Sequence, residues 1–245
     1  LENFWKNIDP FDSFGQFCDK GYSYRSVAFF TNEKEKDLIE KDIKKLEKQF
    51  NKKRVTYFVG DLKNKKFIQS VGKRVKYVDN LVNNAGVANK DYFIKVKPKD
   101  LDKIVDINFK SYFLLSQIFA KKMIQRKIRG SIVSISSQLG HIGAFNRTAY
   151  CSTKFALEGF TKSAAMDLGK HGIRINTVAP TKTIVSEQER KNEKKRLNLI
   201  KKKIPLNRFS TTTEIASIVY FLTTDSAKSI TGTSIISDGG WTCGK

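Results

Sequence analysis

The chain has 245 residues, 40% of them hydrophobic, which is enough for one sizeable core and calls for no second domain. Lys and Arg outnumber Asp and Glu by 46 to 24, a net of +22, but the lysines are spread along the chain and form no aromatic-interleaved basic motif. The expected contact with polyanions is therefore loose, with no specific nucleic-acid partner. No apolar run is long enough for a membrane span, and no basic-then-apolar leader opens the chain, so no membrane partner and no secretion are expected. Cys18, Cys151 and Cys243 are widely spaced, and with His141 and His171 they offer no metal-ligand spacing. No metal site is expected, and a reduced cytoplasmic setting fits best.

In chain order, Val27, Ala28, Phe29 and Phe30 read as a strand leading to Thr31 and Asn32. Residues 33–50 form a charged helix with apolar Ile39, Ile43, Leu46 and Phe50 on one face. Residues 55–59 are a strand, 67–75 a helix and 77–82 a strand. Residues 98–123 form one long helix that carries Leu101, Ile104, Val105, Phe109, Phe113, Leu114, Ile118 and Phe119. Residues 131–135 are a β-branched strand. Residues 148–169 are a helix that stops at Gly169, beside Lys170 and His171. Residues 173–178 are a strand broken by Pro180. A very basic helix at 187–203, a helix at 214–222 and a strand at 234–237 complete the order. Strands alternating with helices indicate an α/β fold: a doubly wound parallel sheet in three αβα layers, one domain spanning 1–245.

Tyr150 and Lys154 lie four apart, one turn from each other on a helix face. A free phenol, with a pKa near 10, is a poor acid or base at neutral pH, and a neighbouring ammonium favours the phenolate. Taken alone, such a pair usually means a half-buried ring and a solvated amine. Ser137 follows the 131–135 strand, where ligands bind in open parallel sheets, although a serine there also suits turn chemistry. Leu81-Val82-Asn83-Asn84-Ala85-Gly86 is a strand running into a turn, and Asn108 places an amide within a helix, where it is normally a cost.

These pieces, with the runs from His171 to Pro180 and from Ile230 to Trp241, resemble the short-chain dehydrogenase/reductase family from about Asp61 to Trp241. The resemblance implies a Rossmann-type fold, a nicotinamide cofactor, and hydride transfer between an alcohol and a ketone or aldehyde. It implies that Tyr150 exchanges a proton with the substrate oxygen, that Ser137 steers that oxygen, and that Lys154 lowers the tyrosine pKa and holds the ribose. Asn108 would hold a proton-relaying water. Asp61 and Leu62 would flank adenine, and Asn84, Ala85 and Gly86 would line the cofactor path. Pro180 and Thr183 would meet the carboxamide end, and residues 184–203 would form a substrate lid. The resemblance also implies a homodimer or homotetramer acting on a small-molecule carbonyl or alcohol.

Two regions depart from the family pattern. The family's glycine-rich phosphate turn has no counterpart in residues 1–20, where Asp9, Pro10, Asp12 and Ser13 stand and Gly15 is the sole glycine. A truncated or frame-shifted start is the expected reason, because the mismatch ends sharply. A lost cofactor site and a divergent turn are the alternatives. Side chains at that turn would block the close backbone approach a pyrophosphate needs, so weak cofactor binding is expected. In addition, no Asp stands near Thr31 to hold a ribose 2′-hydroxyl, while Lys34 and Lys36 are close, which tilts the expectation from NAD toward NADP. The other reading is a catalytically impaired scaffold or binding protein with a decayed nucleotide turn. Intact Asn108, Ser137, Tyr150 and Lys154 argue against it.

Overall fold

The computed structural model describes residues 56–58, 60–183 and 194–244, with 15–16, 19–20, 27–28, 41 and 44. Four strands make the main sheet: β5 (Asn80–Asn83), β6 (Ser131–Ile135), β7 (Arg174–Pro180) and β8 (Ser234–Ser237). They are parallel and adjacent in that order. Of the short N-terminal strands, β1 (Gly15–Gln16) pairs antiparallel with β2 (Asp19–Lys20). Further on, β3 (Val27–Ala28) pairs parallel with β4 (Thr56–Tyr57). Of the helix expected at 33–50, Lys41 and Lys44 are described and are helical.

Residues alternate between the two faces of the sheet, and each face builds its own core. On one face Ile132 and Ile175 pack with Leu62, Ile68, Val71, Leu115, Phe119 and Met123. These come largely from α1 (Lys65–Arg74) and α3 (Ser111–Gln125). On the other face Val133 and Val178 pack with Val219 and Leu222 of α6 (Thr212–Thr223). Helices thus cover both faces of a parallel sheet, the Rossmann-type arrangement.

Local chemistry sets the helix ends. The Asn64 side chain accepts from the Lys66 and Phe67 amides and starts α1. Pro98 occupies the first turn of α2 (Pro98–Val105), where a missing N–H costs nothing. Thr211 and Glu214 cap α6 reciprocally. The basic helix expected at 187–203 is described as α5 (Lys194–Lys201), and its first residues lie outside the described set. The stretch expected as one helix from 98 to 123 is instead α2, a π-helical turn over Asp106–Lys110, and α3. The turn takes one residue more than an α-helical turn, and the apolar residues on both sides of it make the stretch read as one helix.

α4 (Thr148–Gly169) is the longest helix among the described residues. Its outer side is exposed at Phe155, Gly159 and Met166, with open space around Gly159. Beside it, Phe109, Phe113 and Phe160 form an aromatic cluster with centroids 5.1 to 6.4 Å apart.

Candidate active site

The C-terminal ends of β5, β6 and β7 lie along one edge of the sheet, because the registers pair Asn83 with Ser134, Ile135 with Val178, and Pro180 with Ser237. Ser137 begins the next turn. Its hydroxyl accepts from the Leu139 amide at 3.1 Å and so caps a short 3-10 turn, Gln138–Gly140. Gly140 lets that turn lie against α4: a Cβ there would stand 2.9 Å from Ser136 Oγ and 3.1 Å from the Lys154 carbonyl oxygen. The close approach sets the Ser137 hydroxyl beside the Tyr150 phenol.

Tyr150 and Lys154 both project from α4. Burial pushes the Tyr150 phenol up, and the Ser137 hydrogen bond and the Arg147 charge oppose it. The Arg147 guanidinium also donates to the Asn89 carbonyl, which ties the segment before α4 to the loop after β5. The Lys154 ammonium lies 5.7 Å from the ring centroids of both Tyr150 and Tyr112. It donates to the Ile135 carbonyl at 2.7 Å, at the end of β6. Burial lowers its pKa to about 8, against the field of Glu158. The expected depression of the Tyr150 pKa by Lys154 is not what dominates here: desolvation outweighs the groups that favour the phenolate.

Asn108 sits in the π-helical turn, fully buried. Its Oδ1 accepts from the Val87 amide at 2.8 Å. Its Nδ2 donates to the Val87 carbonyl at 2.8 Å and to Thr153 Oγ1 at 3.3 Å. The side chain therefore joins the loop after β5 to the residue just before Lys154. Tyr112, one turn further along, donates to the Ala85 carbonyl at 2.6 Å. Burial raises its own pKa well above the ordinary tyrosine value.

The remaining sequence-predicted residues divide by position. Asn84, Ala85 and Gly86 form the turn after β5, and a Cβ on Gly86 would meet only Asn108 Oδ1, at 3.6 Å. Pro180 ends β7, and Thr183 donates to the Thr181 carbonyl at 3.3 Å. Leu62 is buried in the core, while Asp61 accepts from the Lys63 amide at 2.9 Å and pairs with its ammonium at 3.2 Å. Thr31, the 1–20 segment apart from four residues, and 184–193 lie outside the described set.

The nicotinamide end of the implied cofactor suits the described residues. Thr181 Oγ1 is buried without a partner just beyond β7, which leaves a polar atom for a ligand's carboxamide. The sequence pattern singles out its neighbours Pro180 and Thr183 but not Thr181, so this hydroxyl was missed. A separate cavity of about 400 Å³, lined by Leu206, Arg208, Glu214 and Ser237 among others, shares no residue with this site. Among the described residues no cluster of His, Cys, Asp or Glu could hold a metal, and no helix is long and apolar enough to cross a membrane.

Known proteins carry the same pattern. The family model described as enoyl-(acyl carrier protein) reductase matches residues 23–242. A 3-oxoacyl-[acyl-carrier-protein] reductase of Rickettsia conorii is 37% identical over 185 residues, 76% of each chain. Human L-xylulose reductase is 36% identical over 168 residues, 68% of this chain and 69% of that one. Among solved structures, acetoin dehydrogenase of Salmonella typhimurium superposes with a TM-score of 0.77 at 31% identity, covering 89% of this chain and 85% of the other. With a family model spanning most of its length and reductase relatives above 30% identity, this chain belongs to the short-chain dehydrogenase/reductase family of NAD(P)-dependent oxidoreductases.

Proposed function

We propose that the protein interconverts a small-molecule alcohol and its ketone or aldehyde, with Tyr150 as the acid/base group and NADP(H) as the preferred cofactor. The observation that carries this is the Tyr150 phenol, with Ser137 beside it and the Lys154 ammonium 5.7 Å from its ring centroid, at the C-terminal sheet edge. The bound nicotinamide would supply or accept the hydride. Tyr150 gives a proton to the nascent alkoxide in reduction and takes it back in oxidation. Ser137 donates to the same oxygen and fixes its place. Lys154 holds positive charge beside the phenol, so that the phenolate is stabilised as the proton leaves. The free lone pair of Asn108 Oδ1 would hold the relaying water, while its other bonds fix the backbone before Lys154. Asn84, Ala85, Gly86, Pro180, Thr181 and Thr183 would hold the nicotinamide half, and Asp61 would meet adenine.

The lack of an Asp where NAD-specific members of the family hold the ribose 2′-hydroxyl, with Lys34 and Lys36 close by, supports the NADP preference, and a relative from Sus scrofa is named carbonyl reductase [NADPH] 2. The exposed apolar side of α4 with its neighbouring aromatic cluster supports a homodimer or homotetramer. The three widely spaced cysteines support a reduced, cytoplasmic setting.

Replacing Tyr150 by Phe tests the reading. Turnover of a carbonyl panel is expected to fall about 10²–10⁴-fold or more, with cofactor affinity nearly unchanged by calorimetry. A Tyr150→Phe enzyme working near the wild-type rate would refute the assignment.

A further inference from the structure

Behind the Tyr150–Lys154 pair stands a carboxylate with no part in the scheme above. Glu158 lies one turn beyond Lys154 on α4 and is buried. Its Oε2 accepts from Thr177 Oγ1 of β7 at 2.9 Å. Its Oε1 accepts from Ser234 Oγ of β8 at 3.4 Å and lies 3.5 Å from His141 Nε2. His141 Nε2 is in turn 3.0 Å from Ser234 Oγ. With Ser234 donating to Glu158, the proton between Ser234 and His141 belongs to the imidazole. The carboxylate is thus anchored to two strands and to the turn that carries Ser137. The groups that face it are Lys154 on its own helix, His141 from that turn, and the neutral hydroxyls of β7 and β8.

A buried carboxylate whose neighbours are two hydroxyls and an imidazole is costly to keep ionised. Fixing it by three side chains holds its charge at a set distance from Lys154. Lys154 has the opposite need: it is buried, and one carbonyl accepts from it.

We propose that Glu158 is a positioning residue for the oxidoreductase site, anchored by Thr177, Ser234 and His141 so that its carboxylate keeps Lys154 in the ammonium form. This rests on the catalytic reading above for its consequence in turnover, and, for its effect on Lys154, on the one-turn spacing of the two side chains along α4 and the anchoring of the carboxylate. Glu158 is the group whose field opposes the burial of that ammonium. Without it, Lys154 would lose its proton at lower pH, and Tyr150 would lose the cation that stabilises its phenolate.

The test uses the full chain and two readouts. Lys154 is titrated directly by NMR of ¹³C-labelled lysine, assigned with a Lys154→Arg variant. In Glu158→Gln, which keeps the shape and an acceptor for one of the two hydroxyls while the other can turn to accept from the amide, the Lys154 titration is expected to move acidward by about one pH unit. The alkaline limb of kcat/KM should move with it, and Glu158→Asp should restore most of both. His141→Gln, run alongside, removes the imidazole's own titration from the curves. If Glu158→Gln does not fold, the double variant Glu158→Leu/Thr177→Val removes the charge without leaving the Thr177 hydroxyl unpaired, and is read the same way. A Lys154 titration unmoved by loss of the Glu158 charge overturns the proposal, whatever the activity. A moved Lys154 titration in a protein that turns over no substrate supports the electrostatic role and removes the catalytic reading instead.

Discussion

Lys154 sets a stability cost that pH can reveal. Its pKa falls from 10.5 to about 8 because the native state buries the ammonium. Between those values the unfolded chain binds more protons than the native one, so stability attributable to this residue rises as pH rises through that window. Below pH 8 the full cost is present, about 3 kcal/mol by the size of the shift. Lys154→Met removes the charge but leaves the Ile135 carbonyl without its donor, a loss of about 1–3 kcal/mol of its own. The difference in unfolding free energy between variant and wild type should therefore change by about 2–3 kcal/mol in favour of the wild type from pH 7 to pH 10. Urea denaturation at several pH values measures this. A constant difference across the range would show that Lys154 is not buried as a cation. Tyr150, raised by its own burial, has the opposite slope above its ordinary pKa, which confines the clean window to the range below pH 10.

Among the elements, the short turn after β6 decides whether Ser137 reaches Tyr150. Gly140 permits the turn to touch the backbone of α4 near Lys154. A methyl group there must displace either the Ser136 hydroxyl or the helix, so Gly140→Ala is expected to destabilise by about 1–3 kcal/mol. It should also lower kcat more than it raises KM, because the change bears on the proton-transfer geometry. Wild-type kinetics and melting temperature in Gly140→Ala would show that the contact is slack. Asn108→Ala acts on the π-helical turn, where it strips Val87 of both its bonds to Asn108. A loss of about 2–4 kcal/mol in urea unfolding is expected.

The strands at 131–135 and 234–237 and the helix at 148–169 were legible in the sequence at their observed bounds, because apolar period and glycine or turn residues mark both ends. The π-helical turn was not, since one extra residue in a helix changes no residue type. Tyr150, Lys154, Ser137 and Asn108 could be singled out because their spacing is local or follows a strand end. Glu158 could not: a carboxylate on a helix reads as surface until Thr177, Ser234 and His141 are brought to it from three other segments. Leu62, expected to flank adenine, packs its side chain into the core, which the sequence did not indicate.

At the scale of the whole molecule, the apolar side of α4 is expected to be covered by a second copy of the chain. Phe113 and Phe155 remain substantially exposed, and Met166 is 84% exposed. Sedimentation at micromolar concentration should give a dimer or tetramer of the 27.9 kDa chain, and Phe155→Asp should shift it toward the monomer. A single 27.9 kDa species for the unmodified protein would refute association.

Gly159 carries that expectation one step further. A glycine within a helix costs about 1 kcal/mol relative to alanine, and a Cβ at this position would meet nothing in its own subunit. The isolated chain gains nothing from the gap. Gly159→Ala should therefore make the monomer more resistant to denaturant while loosening the assembly, so that stability and association move in opposite directions with the addition of one methyl group.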